Sequence, residues 1–265
     1  MNHPADGDPA DLSAWLRTAW LGRHSSYHDV IDSTQDEARR LAAQGAAHGH
    51  LVWAGTQTAG RGRLDRRWDS PVASGLWFSV VLRPGLAVER MGALPLAVGA
   101  AVGSSLDTEA PGRVRLKWPN DVLLDGGKLA GILVEGEVTA GVLEHAVAGV
   151  GVNLVRPPGG FPEPIRSTAA ALADATGMEH GRVRILAAIL GSVEAAYDEL
   201  VAHGPGRSRG RWLELSDTIG REVIAHAGGE EVHGRAVDLD NDGNLVLDVG
   251  GERRVIGFGE IEHLR

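Results

Sequence analysis

The chain has 265 residues, 43% of them hydrophobic, which is enough for one large domain or for a medium domain followed by a small one. It carries 26 Lys and Arg residues against 35 Asp and Glu residues, a formal net charge of −9, so general binding of DNA or RNA by the whole surface is not expected. It has no cysteine, which excludes disulfides, Cys-ligated zinc and a thiol nucleophile and fits a reducing compartment.

The N-terminus predicts neither a secretory signal nor a membrane anchor. It reads MNHPADGDP, without a basic start followed by an apolar run, and no apolar stretch of the chain reaches the roughly 18 residues of a spanning helix. We expect a loose tail over residues 1–10 and a short amphipathic helix over residues 12–21. The expected location is the cytoplasm, with no membrane partner.

Helical and strand patterns then alternate along most of the chain. Spacing and capping predict helices over residues 32–45, 91–106, 167–176 and 182–202. Apolar runs bounded by turn residues predict strands over residues 51–56, 76–82, 114–118, 128–135 and 144–150. A Gly- and Arg-rich segment over residues 204–210 is expected to interrupt the helical pattern. This arrangement predicts an α+β domain with a mixed sheet.

The character of the sequence changes after about residue 215. Short alternating runs are separated by turn residues at 228–229, 242–243 and 250–251, a spacing typical of β-hairpins. We therefore place a domain boundary here, with one unit over residues 1–215 and a small all-β barrel over residues 216–265.

The segment Gly60–Trp68 reads GRGRLDRRW and combines four arginines, two glycines and a tryptophan. Glycine lets the backbone come close to a ligand, arginine offers a planar cationic fork for carboxylate or phosphate oxygens, and tryptophan offers a flat face. This pattern indicates a loop that closes over an anion carrying a planar group, although a solvated basic surface loop has the same composition. Because its arginines repel one another, we expect this arginine loop to be mobile without an anion.

Three further polar groups stand at strand ends or beside glycines: residues 33–35, residues 117–121 with Lys128, and residues 149–153. Each has an ordinary explanation, because Ser33 or Thr34 can cap a helix and the others can be surface or turn residues. Lys128 is the least ordinary, since it begins a strongly apolar strand where a lysine is costly unless its amine has a purpose.

Taken in order, the motifs resemble those of the biotin protein ligases, the biotin–[acetyl-CoA-carboxylase] ligases. The motifs are GRGRxxRxW at residues 60–68, KWPND at 117–121, GKLAGILVE at 127–135 and GxGxN at 149–153, preceded by Asp-Ser-Thr at 32–34 and Gln-Thr-Ala-Gly at 57–60. The resemblance runs from about residue 32 to the end of the chain. It implies a class II synthetase-like, biotin/lipoate ligase catalytic domain over residues 1–215 and an SH3-like β-barrel over residues 216–265.

The resemblance also implies a two-step reaction. Biotin and Mg·ATP give biotinoyl-5′-AMP and pyrophosphate, and a lysine of a biotin carboxyl carrier protein domain of a biotin-dependent carboxylase then displaces AMP. The implied substrates are biotin and ATP, and the implied cofactor is Mg²⁺. Lys128 and Arg63 would stabilise the negative charge of the reacting groups, and Asp121 would either hold Mg²⁺ or orient the attacking lysine.

The implied ligand residues fall into two overlapping sets. The residues expected to bind biotin are Ser33, Thr34, Gln35, Gln57, Gly60, Arg61, Gly62, Arg63, Lys128 and Gly131. The residues expected to bind the nucleotide are Arg61, Arg63, Arg66, Trp68, Lys117, Asn120, Lys128 and Asn153.

Two departures from the family pattern stand out. Gln35 occupies a position where the family usually has Asn, and the stretch before Asp32 is too short for the winged helix-turn-helix of regulatory members. We therefore expect a short form that does not bind DNA. A lipoate–protein ligase is the nearest alternative, and a nucleic-acid-binding module built on the arginine loop is an alternative from another class.

Overall fold

The computed structural model describes residues 9–85, 90–178, 180–257 and 259–264. Residues 1–8 of the expected N-terminal tail lie outside this range. Within the described residues the chain forms a seven-stranded sheet with helices, followed by a five-stranded antiparallel sheet. The predicted α+β class with a mixed sheet is confirmed.

The first sheet has the strand order β1-β2-β3-β7-β6-β5-β4. Its strands are β1 (Ser25–Ile31), β2 (Leu51–Gln57), β3 (Gly75–Leu82), β4 (Val114–Lys117), β5 (Asp121–Leu124), β6 (Gly127–Thr139) and β7 (Val142–Asn153). β1 lies parallel to β2, and the remaining neighbours are antiparallel. Every residue of β3 is buried, so both faces of this strand are covered.

The second sheet has the order β11-β10-β9-β8-β12. Its strands are β8 (Glu222–Ala227), β9 (Glu230–Leu239), β10 (Leu245–Val249), β11 (Glu252–Ile256) and β12 (Glu260–His263). The predicted C-terminal β unit is therefore present as an antiparallel sheet. Pairing of β11 with β12, which would close it into the expected barrel, does not occur among the described residues.

The helices are α1 (Leu12–Trp15), α2 (Thr34–Ala43), α3 (Ala93–Asp107), α4 (Leu172–Thr176), α5 (Arg182–His203) and α6 (Gly206–Leu215). α3 is buried along most of its length and packs against α5, α6 and the first sheet, where it forms the main core. Within the described part of the chain, no helix is both long enough and apolar enough to cross a bilayer.

α2 lies on the opposite face of the first sheet and covers only part of it. Ala38 and Ala42 of this helix pack against Val52, Val81 and Val147. Side chains alternate between the two faces of a strand, so Ser79 on β3 and Gly149 on β7 share the α2 face with Val81 and Val147. The part of this face beyond α2 carries the candidate site.

Three local predictions were inaccurate. The helix predicted over residues 12–21 ends at Trp15, and the one predicted over residues 167–176 begins only at Leu172. The interruption expected over residues 204–210 is confined to Gly204 and Pro205, because α5 ends at His203 and α6 begins at Gly206. Burial of Trp212 and Leu215 against the core outweighs the low helix propensity of the glycines in this segment. α6 ends at Leu215 and β8 begins at Glu222, and the boundary between residues 215 and 216 stays a prediction.

Candidate functional site

A cavity of about 970 Å³ lies on the α2 side of the first sheet. Strands β3, β6 and β7 form its floor, and the arginine loop, residues 117–121, residues 161–169 and β12 form its walls. Both sheets therefore contribute to one cavity, and its volume lies in the range of small-molecule sites.

The floor is built around two paired glycines, Gly131 on β6 and Gly151 on β7. The indole of Trp68 lies across them, because an added Cβ would stand 2.7 Å from this ring at Gly131 and 2.5 Å from it at Gly151. Trp68 also meets the ring of Trp77 edge-on, with centroids 6.4 Å apart. The Gly-x-Gly-x-Asn motif is thus part of a strand that leaves room for Trp68, and the explanation of Asn153 as a turn residue was wrong.

At one end of the cavity, uncharged side chains form a hydrogen-bond network. Gln57 Oε1 accepts from the backbone N–H of Thr34 at 2.8 Å and from its hydroxyl at 3.1 Å. The Thr34 hydroxyl lies 3.0 Å from Ser79 Oγ, which donates to Gln35 Oε1 at 3.1 Å. Thr34, Gln35 and Ser79 are buried, so this neutral end of the cavity is preformed.

Two predicted ligand residues shape the cavity without lining it. The Ser33 hydroxyl accepts from the Asp36 N–H at 3.3 Å and caps α2, as one sequence interpretation expected. Gly60 accepts from the Trp68 N–H at 2.9 Å, and a Cβ added there would lie 2.5 Å from the Trp68 carbonyl oxygen. Gly60 therefore closes the base of the arginine loop.

Arg61 is bound by two carboxylates. Its guanidinium donates to both oxygens of Glu135 at 2.9 Å and to Asp36 at 2.9 Å. Burial lowers the pKa of Arg61, but the two carboxylates outweigh this effect, so the pKa lies above its usual range. The side chain thus ties the start of the arginine loop to β6 and α2, and the expected contact of Arg61 with an anionic ligand stays a prediction.

Arg63 and Arg66 connect the same loop to the C-terminal sheet. Arg63 donates to the Gly259 carbonyl at 3.3 Å, and Arg66 donates to Glu260 at 2.5 Å. Burial lowers the pKa of Arg63, although the carboxylates of Glu260 and Asp121 partly offset it. Mutual repulsion of the arginines was the basis of the expected mobility, and these contacts weaken that argument.

At the other end of the cavity, the Lys128 amine pairs with Asp121 at 2.7 Å. The ladder between β5 and β6 shifts register here, with Val122 opposite Ala130 but Leu123 opposite Lys128. The extra residue is a β-bulge, a feature that changes the direction of neighbouring side chains. The Lys128 amine also lies 5.4 Å from the centroid of the Trp68 ring. We call Arg63, Lys117, Asp121 and Lys128 the charged end of the cavity.

Two asparagine amides hold the backbone around this end. Asn153 donates to the carbonyls of Lys128 at 3.3 Å and Ala170 at 3.1 Å, and Asn120 donates to the Ile132 carbonyl at 2.8 Å. The Asn153 nitrogen is therefore committed to the protein, and its Oδ1 is the atom of this amide with which a ligand could bond.

Loops beside the C-terminal sheet hold Trp118 of the 117–121 segment. The backbone N–H of Trp118 donates to the Thr218 hydroxyl at 3.0 Å, and its indole N–H donates to the Gly243 carbonyl at 3.0 Å. His263 lines the cavity nearby, and burial, with help from Lys117, lowers its pKa despite the opposing charge of Asp217.

The described residues contain no group of three or more carboxylate or histidine side chains that could hold a metal ion. Asp121 nevertheless fits a nucleotide-bound Mg²⁺, because Mg²⁺ is commonly held by one or two carboxylates together with substrate phosphates.

The structure brings most of the predicted ligand residues together around this cavity. Those that line it are Thr34, Gln35, Gln57, Arg61, Gly62, Arg63, Arg66, Trp68, Lys117, Asn120, Asp121, Lys128, Gly131 and Asn153. Their individual binding roles stay predictions. Ser79 and Glu135 were missed, although a serine within an otherwise apolar buried strand and a glutamate at the end of an apolar run were both visible signals.

The family models that match this chain cover both parts of the molecule. The Biotin/lipoate A/B protein ligase family matches residues 27–153, and the Biotin protein ligase C terminal domain matches residues 218–264.

The chain is also similar to individual proteins of known activity or structure. The biotin–[acetyl-CoA-carboxylase] ligase of Mycobacterium tuberculosis is 36% identical over 94% of this chain and 94% of its own length. The bifunctional ligase/repressor BirA of Bacillus subtilis is 32% identical over 99% of this chain and 81% of its own length. The structure of the biotin protein ligase from Aquifex aeolicus in complex with biotin and ATP is 27% identical, covers 92% of this chain and 99% of that chain, and superposes with a TM-score of 0.78. This chain belongs to the biotin protein ligases of the biotin/lipoate A/B protein ligase family.

Proposed function

We propose that this protein is an ATP-dependent biotin protein ligase, which activates biotin as biotinoyl-5′-AMP and transfers it to a lysine of a biotin carboxyl carrier protein domain. The observation that carries the proposal is the division of one cavity into a neutral end and a charged end. Biotin has a neutral ureido ring at one extremity and a carboxylate at the other. The similarity to the biotin–[acetyl-CoA-carboxylase] ligase of Mycobacterium tuberculosis, and to a biotin protein ligase structure that holds biotin and ATP, supports the same assignment.

The ureido ring would bind at the neutral end. Its carbonyl needs a donor and its two N–H groups need acceptors, and Thr34 and Gln57 carry both kinds of group. The biotin tail would then run along the glycine floor, beneath Trp68, toward Arg63 and Lys128.

In the first step an oxygen of the biotin carboxylate bonds to the α-phosphorus of ATP, and the bond to pyrophosphate breaks. Arg63 and Lys128 would neutralise the two anions that must meet, and such fixed charges stabilise a phosphoryl-transfer transition state. Mg²⁺ bound with ATP would neutralise part of the phosphate charge, and Asp121 would hold this ion.

The rest of the nucleotide would lie along the cavity wall. Trp68 would contact the adenine ring, and the Oδ1 of Asn153 would accept from the adenine amino group. The residues that would lie along the phosphates are Lys117, Asn120 and Arg66.

In the second step the carrier lysine bonds to the acyl carbon of the anhydride, and AMP leaves. Asp121 also fits the task of orienting that amine, because it lies at the cavity wall. Its two proposed roles are separable, since a role limited to the amine would leave adenylate formation intact in Asp121→Asn. A cytoplasmic location is part of the proposal.

The test uses the full chain with biotin, ATP, Mg²⁺ and a biotin carboxyl carrier domain. Mass spectrometry should show one added biotinoyl group on one carrier lysine, and replacement of that lysine by arginine should abolish it. A parallel reaction contains lipoate and a lipoyl domain. Absence of biotin transfer, or an equal or faster transfer of lipoate, would contradict the proposal.

A further inference from the structure

Gln35 has an unusual position for a residue expected to bind the ligand, because its amide hydrogens are already committed. The side chain is buried, with 3% of the residue exposed. Its nitrogen donates to Glu135 Oε2 at 3.0 Å and to the Val147 carbonyl at 3.2 Å, and its oxygen accepts from Ser79 Oγ at 3.1 Å. The amide therefore connects three strands of the floor.

A glycine on β7 makes this connection possible. Gly149 lies opposite Ser79 in the β3–β7 ladder, and a Cβ added to Gly149 would stand 2.4 Å from Gln35 Oε1. The Gln35 side chain thus passes over Gly149 to reach β6, where Glu135 lies. An asparagine would be shorter by one carbon–carbon bond, about 1.5 Å, and could not span the same distance.

The contact with Glu135 leads directly to the arginine loop. Glu135 Oε2 accepts from Gln35 and also from Arg61 Nη1, while Oε1 accepts from Arg61 Nη2. A donor on one side of a carboxylate fixes its rotation, and a fixed carboxylate orients the two-pronged guanidinium bound to it. The backbones of Arg61 and Arg67 form an isolated antiparallel β-bridge across the base of the loop.

We propose that Gln35 is a positioning residue that sets the arginine loop through Glu135 and Arg61. The consequence for catalysis rests on the proposed function, whereas the consequence for the loop does not. With Gln35 in place, Glu135 holds Arg61, and the loop keeps Arg63 and Trp68 over the cavity before any ligand arrives.

The first test compares Gln35→Asn with Gln44→Asn, an equal shortening of an exposed amide at the end of the same helix. The measurement is the rate of trypsin cleavage after Arg61, Arg63, Arg66 and Arg67 without ligand, with the melting temperature as a check on folding. Losing a hydrogen bond to a charged group commonly changes an equilibrium by about ten- to a hundredfold, so we expect Gln35→Asn to raise loop cleavage and the KM for biotin by at least about tenfold. Unchanged loop cleavage in a folded Gln35→Asn variant would overturn the proposal.

The second test uses Gln35→Glu, which keeps the length of the side chain but replaces its donor. When two carboxyl groups lie side by side, the pKa of one of them is raised, so the pair binds a proton more readily than a single carboxyl group does. At low pH that proton would let the introduced carboxyl group donate a hydrogen bond to Glu135, as the Gln35 amide does. Relative to cleavage of an unstructured control peptide, loop cleavage should therefore slow as the pH falls from about 8 to about 5.5 in Gln35→Glu, whereas the wild type should show no such trend. The same pH dependence in both proteins would contradict the proposal, and a simple loss of packing would produce no pH trend in the variant.

A double variant separates action through Arg61 from a general effect on the fold. If Gln35 acts through Arg61, adding Gln35→Asn to Arg61→Gln should change loop cleavage by less than about twofold, because Arg61→Gln has already removed the contact between Arg61 and Glu135. Fully additive effects would overturn the proposal. If the wild type releases no biotin-dependent pyrophosphate, the proposed function fails, but the cleavage results still decide the role of Gln35.

Discussion

The two ends of the cavity hold their polar side chains in different ways. At the neutral end, Thr34, Gln57 and Ser79 are linked to one another by direct hydrogen bonds, and two of the three are almost fully buried. At the charged end, Lys128 and Asp121 remain partly exposed, with 38% and 22% of their side chains accessible. A buried polar network loses much stability when one of its hydrogen bonds is missing. A partly exposed charge is hydrated by water, so it needs no ligand to be stable in the empty site.

This difference predicts different consequences for substitutions at the two ends. Loss of a neutral side chain should weaken both folding and the binding of biotin, because the network is part of the folded core. Loss of a charged side chain should reduce the rate of adenylate formation and leave the stability nearly unchanged.

Lys128→Ala should give the largest effect. Removing one donor that stabilises transition-state charge commonly costs about 10²–10³ in rate. We expect a loss of this size in biotin-dependent pyrophosphate release and a melting temperature close to that of the wild type. Arg115→Ala is the control, because it removes an exposed cation from β4, at the edge of the same sheet. A near-normal rate in Lys128→Ala would remove this lysine from the reaction.

Gly151→Ala should disturb the floor that lies between the two ends. The new methyl group would stand 2.5 Å from the Trp68 ring, and overpacking of this kind costs about 1–3 kcal/mol. We expect a blue- or red-shifted tryptophan emission, a lower melting temperature and weaker binding of ATP. Gly191→Ala on α5 is the matched control, since apart from its chain neighbours and the backbone of its own helix no heavy atom lies within 4 Å of its added Cβ. Equal behaviour of the two variants would show that Trp68 does not rest on Gly151 in solution.

Ser79→Ala tests the neutral end. It removes the hydroxyl between Thr34 and Gln35 and leaves the buried Gln35 Oε1 without its Ser79 donor, which costs about 1–3 kcal/mol. We expect a lower free energy of unfolding and a higher KM for biotin, with kcat changed much less than in Lys128→Ala. A fall in kcat with an unchanged KM for biotin and unchanged stability would contradict the contrast between the two ends.

The smallest expected effect concerns pH and His263. Burial lowers the pKa of this histidine in the folded state, so between that pKa and the usual value near 6.5 the unfolded chain binds more protons. Its contribution to stability is therefore complete above about pH 6.5 and is lost as the pH falls. In His263→Gln the loss of unfolding free energy between about pH 7 and about pH 5.5 should be smaller than in the wild type, with His48 and His50 supplying the remainder. An equal or larger loss in the variant would contradict this account.

The sequence predicted the parts of the site that depend on local chemistry. A ligand site is indicated, without knowledge of the fold, by glycine beside arginine and by a lysine at the start of an apolar strand. Arg63 and Lys128, which these patterns single out, do lie at one cavity. The connection of Gln35 to Glu135 was not predictable in this way. It requires the order β3-β7-β6 and the knowledge that these strands turn the same alternate residues toward α2.

Long-range packing explains the other omissions. β1 has a largely polar sequence, SSYHDVI, and its pairing with β2 is what makes it a strand. α6 forms in a Gly- and Arg-rich segment because Trp212 and Leu215 are buried. The contribution of β12 to the cavity depends on how the second sheet lies against residues 116–118, where Trp118 binds Thr218 and Gly243. Local propensity contains none of this information.

The most direct test of the proposed function follows the α-phosphate of ATP. The full chain is incubated with biotin, Mg²⁺ and ATP labelled at its α-phosphate, and the products are separated before and after a carrier domain is added. We expect labelled biotinoyl-AMP that depends on biotin and that disappears on addition of the carrier, with release of labelled AMP. Failure to form a labelled adenylate, or formation of an adenylate with lipoate in preference to biotin, would contradict it.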